Sequence, residues 1–254
     1  MPSIRKAVQV AVAVLTVFAA GNAFAASIGL NFVGGSANGA PTPLAAADVA
    51  GVVPQMNWNN GSLAAGSSTV NTGGTLVDST GASVAPGTTV SWSANGTWGA
   101  GNTGNPDEAL MNGYIDVTGA PGNTGSVIFT GIPYAQYDVI AYFGSDGDDR
   151  TGTISDGTTT FSYNTHSSGG HVFPAEFLQT TDTGGGNPDA NYAVWTGETS
   201  PSLTITITRG SNNSGFHGIQ IIDTTPPVPE PVSAAMALMG LGGLALGLRR
   251  RRTA

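Results

Sequence analysis

The sequence contains no cysteine. Thiolate nucleophiles, iron–sulfur clusters and cysteine-type zinc sites are therefore excluded, and the core must hold without disulfides. Charge is scarce as well, with only 9% of the 254 residues being Asp, Glu, Lys or Arg. Of the eight basic residues, Arg5 and Lys6 lie at the start and Arg249, Arg250, Arg251 and Arg252 at the end. Between residues 26 and 228 only Arg150 and Arg209 remain, against fifteen acidic residues, a net charge of −13. A surface of that sign repels phosphate backbones, so nucleic acid is excluded as a partner. There is no G-x-S-x-G, and no Ser/His/Asp arrangement stands out.

Glycine is abundant (38 residues), as are Ser, Thr and Asn, while helix formers are sparse outside the two ends. These residues favour turns and strands over long helices. An apolar fraction of 40% is too high for a disordered chain. Alternation picks out the strands. The clearest is 202–208, where Leu203, Ile205 and Ile207 face one way and threonines the other. Further strands are expected at 28–33, 88–94, 113–117, 126–130, 137–143, 151–155, 158–163, 192–196 and 218–222. Asp156-Gly157 reads as a tight hairpin, and Asn95-Gly96 and Asn123-Thr124-Gly125 as other turns. One helical turn is expected from Asn105, with Pro106 at its first position and Gly113 as its end. About ten strands without a βαβ rhythm imply an all-β, two-sheet β-sandwich of jelly-roll type.

The ends read differently from this body. Arg5 and Lys6 precede an apolar run over 7–20, and Ala23-Phe24-Ala25 supplies small residues for cleavage after Ala25. Residues 1–25 are thus a Sec-type signal peptide with a signal helix, and 26–225 form the β-sandwich body. Residues 226–231 make a stiff proline-rich linker, and 232–254 an apolar helix with an arginine tail. The apolar run over 232–248 spans about 26 Å as a helix, enough to cross a bilayer. The arginines behind it stay cytoplasmic and leave the body outside.

Pro229-Glu230-Pro231, the apolar helix and the arginine cluster at 249–252, in that order, resemble the PEP-CTERM sorting signal over 228–254. The resemblance implies recognition by an exosortase of a Gram-negative bacterium, transient anchoring in the inner membrane, and delivery to the cell surface or extracellular matrix. The same tail occurs on varied bodies, some of them ice-binding, so it carries an address rather than an activity. The body in turn resembles an uncharacterised β-sandwich module of exported bacterial proteins, through 28–35, 51–60, 110–114 and 137–143. The stretch 215–222 is similar to the last strand of carbohydrate-binding jelly rolls. This second likeness implies fold, and no activity travels with it.

Candidate sites are few. Asp146, Asp148 and Asp149, with Asp156 in the next turn, are candidate calcium ligands, because calcium takes six to eight oxygens. The spacing is not that of an EF-hand, and a solvated acidic hairpin balanced by Arg150 is the alternative. His166, His171, Glu176 and His217 are the only residues suited to a transition metal, and their spacing matches no zinc motif, so no metal is assigned. Trp92 alternates with Val90 as a core residue does. Trp58 and Trp98, in Asn/Gly-rich segments, are candidate platforms for glycan stacking, with buried anchors as the alternative reading. The expected function is that of an exported, non-enzymatic surface or matrix protein needing no cofactor. A module binding extracellular polysaccharide is the first alternative. A secreted glycoside hydrolase is the second, although no two carboxylates select themselves.

Overall fold

In the computed structural model, the described residues are 26–33, 43–62, 69–71, 76–101, 104–166 and 176–226. The chain divides into two units, Met1–Thr224 and Thr225–Ala254. The described part of the second is limited to residues 225 and 226. The signal peptide with Ala23 and Ala25, the Pro229-Glu230-Pro231 motif, the apolar 232–248 segment, the four terminal arginines and His171 all lie outside the described residues. Among the described residues no helix is long and apolar enough to cross a membrane.

The strands begin with β1 (Ser27–Val33), β2 (Asn59–Ser62), β3 (Thr69–Asn71), β4 (Thr89–Ser93) and β5 (Gly96–Gly99). A five-residue helix, α1 (Pro106–Leu110), separates these from β6 (Gly113–Val117), β7 (Thr124–Thr130) and β8 (Tyr137–Gly144). Then come β9 (Thr151–Ser155), β10 (Thr160–Thr165), β11 (Asp189–Ala190), β12 (Tyr192–Glu198), β13 (Ser202–Arg209) and β14 (Ser214–Asp223). They form two seven-stranded sheets. The first runs β12-β8-β14-β1-β2, with β6 on the N-terminal half of β14 and β5 on β6. The second runs β11-β10-β9-β13-β7-β4-β3. Both are mixed, since β1–β2 and β10–β11 pair in parallel and the remaining ladders are antiparallel.

The alternation in the sequence becomes the sandwich interior. Leu203, Ile205 and Ile207 lie opposite Phe129, Val127 and Gly125 on β7, and Val90 and Trp92 on β4 continue the same inner face. The first sheet answers with Ile28, Leu30 and Phe32 of β1, Val139, Ala141 and Phe143 of β8, and Ile219 and Ile221 of β14. The faces meet directly. Phe32 packs edge-on against Trp92 with ring centroids 5.2 Å apart, and Phe143 packs against Tyr163 at 4.2 Å. Full burial of a side chain of this size contributes about 1.5–3 kcal/mol. The body is thus a two-sheet β structure of the sandwich class.

Strand β8 is buried on both faces, because a second apolar cluster lies outside the first sheet. Ile140 and Tyr142 point away from the sandwich interior and meet Leu44, Ala50, Trp58, Leu110 and Met111. The 43–58 segment and α1 cover this outer face. The start of α1 is as expected: Asn105 accepts from the Glu108 amide and Pro106 opens the helix. Its end differs from expectation. Met111 caps it, and Gly113 instead begins β6, because Ala100 N–H takes the Asn112 carbonyl and draws the chain into a strand. The Asp156-Gly157 hairpin joins β9 to β10, with Gly157 at φ +93°. Asn95-Gly96 turns the chain from the second sheet to the first.

Candidate functional site

At one end of the body a group of polar side chains converges from four elements. Tyr114 and Asp116 come from β6, Asp146 and Arg150 from the β8–β9 connection, Asn213 from the β13–β14 connection, and His217 from β14. The Arg150 guanidinium bonds both Asp146 and the Asn213 side-chain oxygen. The Tyr114 hydroxyl donates to Asp146 Oδ1 at 3.4 Å. Asn213 Nδ2 then donates to both oxygens of Asp116, at 3.2 and 3.1 Å. The amide orientation is fixed by chemistry, because guanidinium only donates and carboxylate only accepts. Asn213 therefore stands between Arg150 and a carboxylate that the arginine does not touch.

Asp116 is 3% exposed, and burial pushes its carboxyl up to about 6. The Asn213 bonds oppose that rise, the Asp146 charge adds to it, and Arg150 and Arg209 pull the other way. Tyr114 is raised far above its ordinary value by burial, with Asp116 and Asp146 adding to it. His217 is 1% exposed, its ring 5.0 Å from that of Tyr114. Its Nδ1 lies 3.0 Å from the Gly113 carbonyl, which makes Nδ1 the protonated nitrogen of a neutral ring. Burial lowers this histidine to about 3, against the small opposing effect of that bond. Arg209, at the end of β13, has Nε and Nη1 enclosed without hydrogen-bond partners. Asp116 and His217 are both closed to solvent in this arrangement. The network ties two connections to β6.

The four aspartates expected as calcium ligands lie apart in this structure. Asp146 is engaged by Arg150 and Tyr114. Asp149, at φ 58°, accepts from Asn164, and Asp148 is exposed beside it. Asp156 sits at the other end of β9, about 16 Å away by strand rise, and accepts from the amides of Thr158 and Thr159 in its own turn. Five extended residues between the acidic loop and the turn keep the carboxylates apart. Among the described residues no group of three or more His, Asp or Glu is placed to hold a metal. His166 lies 3.5 Å from Asp189, and Glu176 is exposed, offering its backbone carbonyl to Asn191.

The tryptophans also separate. Trp58 is 4% exposed, packs edge-on to Tyr142 and donates from Nε1 to the Gln55 carbonyl, so its ring is an internal anchor rather than an open stacking face. Trp92 and Trp195 are buried in the sandwich interior. Trp98 on β5 stays partly exposed opposite Tyr114, and its Nε1 is enclosed without a partner.

Residues 227–252 match the PEP-CTERM protein-sorting motif. The chain therefore carries a C-terminal sorting signal, the mark of an exported protein processed at the membrane by an exosortase. Among solved structures, the carbohydrate-binding module TmCBM61 in complex with β-1,4-galactotriose is similar at 10% identity, over 54% of this chain and 90% of that one, with a TM-score of 0.29. The K2 cleaved adhesin domain of Lys-gingipain is similar at 15% identity, over 52% of this chain and 79% of that one, with a TM-score of 0.21. No curated protein matches the chain.

Proposed function

We propose that this chain is a non-enzymatic surface or extracellular-matrix protein, with a β-sandwich body of jelly-roll type at 26–225 delivered by its two ends. The observation that carries this reading is the sorting motif over 227–252. A signal peptide cleaved after Ala25 starts export. The 232–248 segment then holds the chain as a transmembrane helix in the inner membrane, with the body outside and Arg249–Arg252 on the cytoplasmic side. Pro231 lacks an amide donor and restricts the residue before it, so Pro229-Glu230-Pro231 cannot continue that helix backwards. The motif is presented as extended chain near the outer membrane face, within reach of a membrane-embedded exosortase. The enclosure of Asp116 supports the non-enzymatic reading, because one of the two carboxylates of the polar network is closed to solvent.

Intact mass of the surface-released protein tests the processing. In a host with an exosortase, the mature protein is expected to lack 232–254, and Glu230→Ala to strand the chain in the inner membrane. A released wild-type protein that still contains 232–254 would leave only a simple anchor.

The partly exposed Trp98 favours a second reading, polysaccharide binding, because one face of an indole can stack on a sugar ring. Retention on an insoluble polysaccharide should then drop at least about tenfold in Trp98→Ala, a loss of about 1.4 kcal/mol. Equal retention of the two proteins would remove Trp98 from any binding site.

A further inference from the structure

The polar network holds two ionisable groups of opposite kind, and neither has a counter-ion in contact. Asp116 is nearly fully buried, with hydrogen bonds from a neutral amide. His217 is nearly fully buried on the neighbouring strand, bonded to a carbonyl, with its ring tilted against that of Tyr114. A carbon atom added at Gly144 would lie 2.9 Å from His217 Nε2, so β8 closes the space over that nitrogen. Burial without a counter-ion disfavours the charged form of each. For the aspartate that means holding its proton, and for the histidine refusing one.

We propose that Asp116 and His217 are a compensating pair that keeps the stability of the body nearly level from neutral to mildly acidic pH. The charged and titratable groups facing Asp116 are Asp146 and Arg150 from the β8–β9 connection, Arg209 from β13, and Tyr114 from its own strand. His217 is faced by the Tyr114 ring from β6, by Gly144 of β8 and, through Gly144, by Met111 after α1.

The signs are opposite. The aspartate is raised from 3.8 to about 6, so its stabilising contribution is complete below 3.8 and is lost as pH rises through 6. The histidine is lowered from 6.5 to about 3, so its contribution is complete above 6.5 and is lost as pH falls towards 3. Between about pH 4 and 6.5, acidification therefore strengthens the fold through Asp116 while weakening it through His217. The two contributions run in opposite directions over that range, so each offsets the other. An exported body would meet outside pH without the buffering of the cytoplasm, and such a pair flattens its response.

The test is thermal unfolding of the purified full-length chain in detergent, at pH 4.5 and 7.5, for wild type, Asp116→Asn and His217→Asn. An asparagine at 217 can still donate to the Gly113 carbonyl. The wild-type Tm should differ little between the two pH values. Asp116→Asn should lose about 5–10 °C on acidification, and His217→Asn should gain about 4–8 °C. Parallel pH profiles for all three proteins would overturn the proposal. Should a variant fail to fold, nuclear magnetic resonance of wild type decides. The Asp116 carboxyl should titrate near pH 6 while the His217 ring stays neutral down to pH 4. An aspartate midpoint below 4.5, or a histidine midpoint above 5.5, would equally overturn it.

Discussion

Gly215→Ala is expected to destabilise the body by about 3 kcal/mol or more, lowering Tm by about 6–12 °C. Gly215 sits in β14 opposite Asp116 on one side and Gly144 on the other. A methyl group there would lie 1.8 Å from the Ile115 carbonyl oxygen and 2.9 Å from the Tyr114 ring. The obstacle is backbone, so no rotamer change relieves it. Strand β6 must move off β14, and with it go the Ser214–Val117 and Phe216–Ile115 pairings and the enclosure of Asp116. Gly157→Ala is the control. That glycine has positive φ but nothing within 4 Å of an added carbon. It should cost only the backbone term of about 1–2 kcal/mol. Thermal unfolding of both variants checks the ranking. Equal losses would mean that β6 is not held against β14 as described.

Contrasts of this kind explain which parts of the fold were legible in the sequence. Strand β13 was, because every second residue is apolar and all three of those face the opposite sheet. The start of α1 was legible because Asn105 and Pro106 act within one turn, and the Asp156-Gly157 hairpin because its bonds are equally local. Strand β2 was not. Asn59-Asn60-Gly61-Ser62 has no apolar residue and becomes a strand only through parallel pairing with β1. Asn59 secures it by donating to the Gly29 and Val77 carbonyls and accepting from the Val77 amide. Those partners are 18 and 30 residues away, beyond any local pattern.

The polar network was illegible for a related reason. In Ile115-Asp116-Val117 the aspartate occupies the position that alternation assigns to solvent. Its burial depends on Asn213, 97 residues on, folding back across β6. The acidic run at 146–149 drew attention because it is dense. Yet Arg150, four residues after Asp146, had already signalled that one of those carboxylates would be neutralised internally. His217, inside an apolar strand, carried a weak signal of burial, and only the register with β8 and β6 shows how complete that burial is.

Gln220→Leu is the second large effect, expected to cost about 3–5 kcal/mol although it replaces a polar core residue by an apolar one of similar size. Gln220 is fully buried on the outward side of β14. Its Nε2 donates to the Val53 carbonyl at 2.7 Å and to Gln55 Oε1 at 2.8 Å, while its Oε1 accepts the Tyr142 hydroxyl at 2.9 Å. Tyr142 in turn accepts from the Val52 amide at 2.8 Å. One side chain thus fastens the 50–55 turn to the centre of the first sheet. Leucine would leave the Tyr142 hydroxyl proton without its acceptor and the Val53 carbonyl and Gln55 amide oxygen without their donor, each costing about 1–3 kcal/mol if it stays dry. Because Tyr142 and Gln220 share a bond, Tyr142→Phe combined with Gln220→Leu should cost at least about 1 kcal/mol less than the sum of the single changes. Urea unfolding of the four proteins gives that coupling. Limited proteolysis should cut Gln220→Leu within 50–58 sooner than wild type, since the exposed Val53 and Met56 would then sit on an unfastened turn. Strict additivity together with unchanged proteolysis would show that the turn is held by Trp58 and its apolar neighbours instead of by the glutamine.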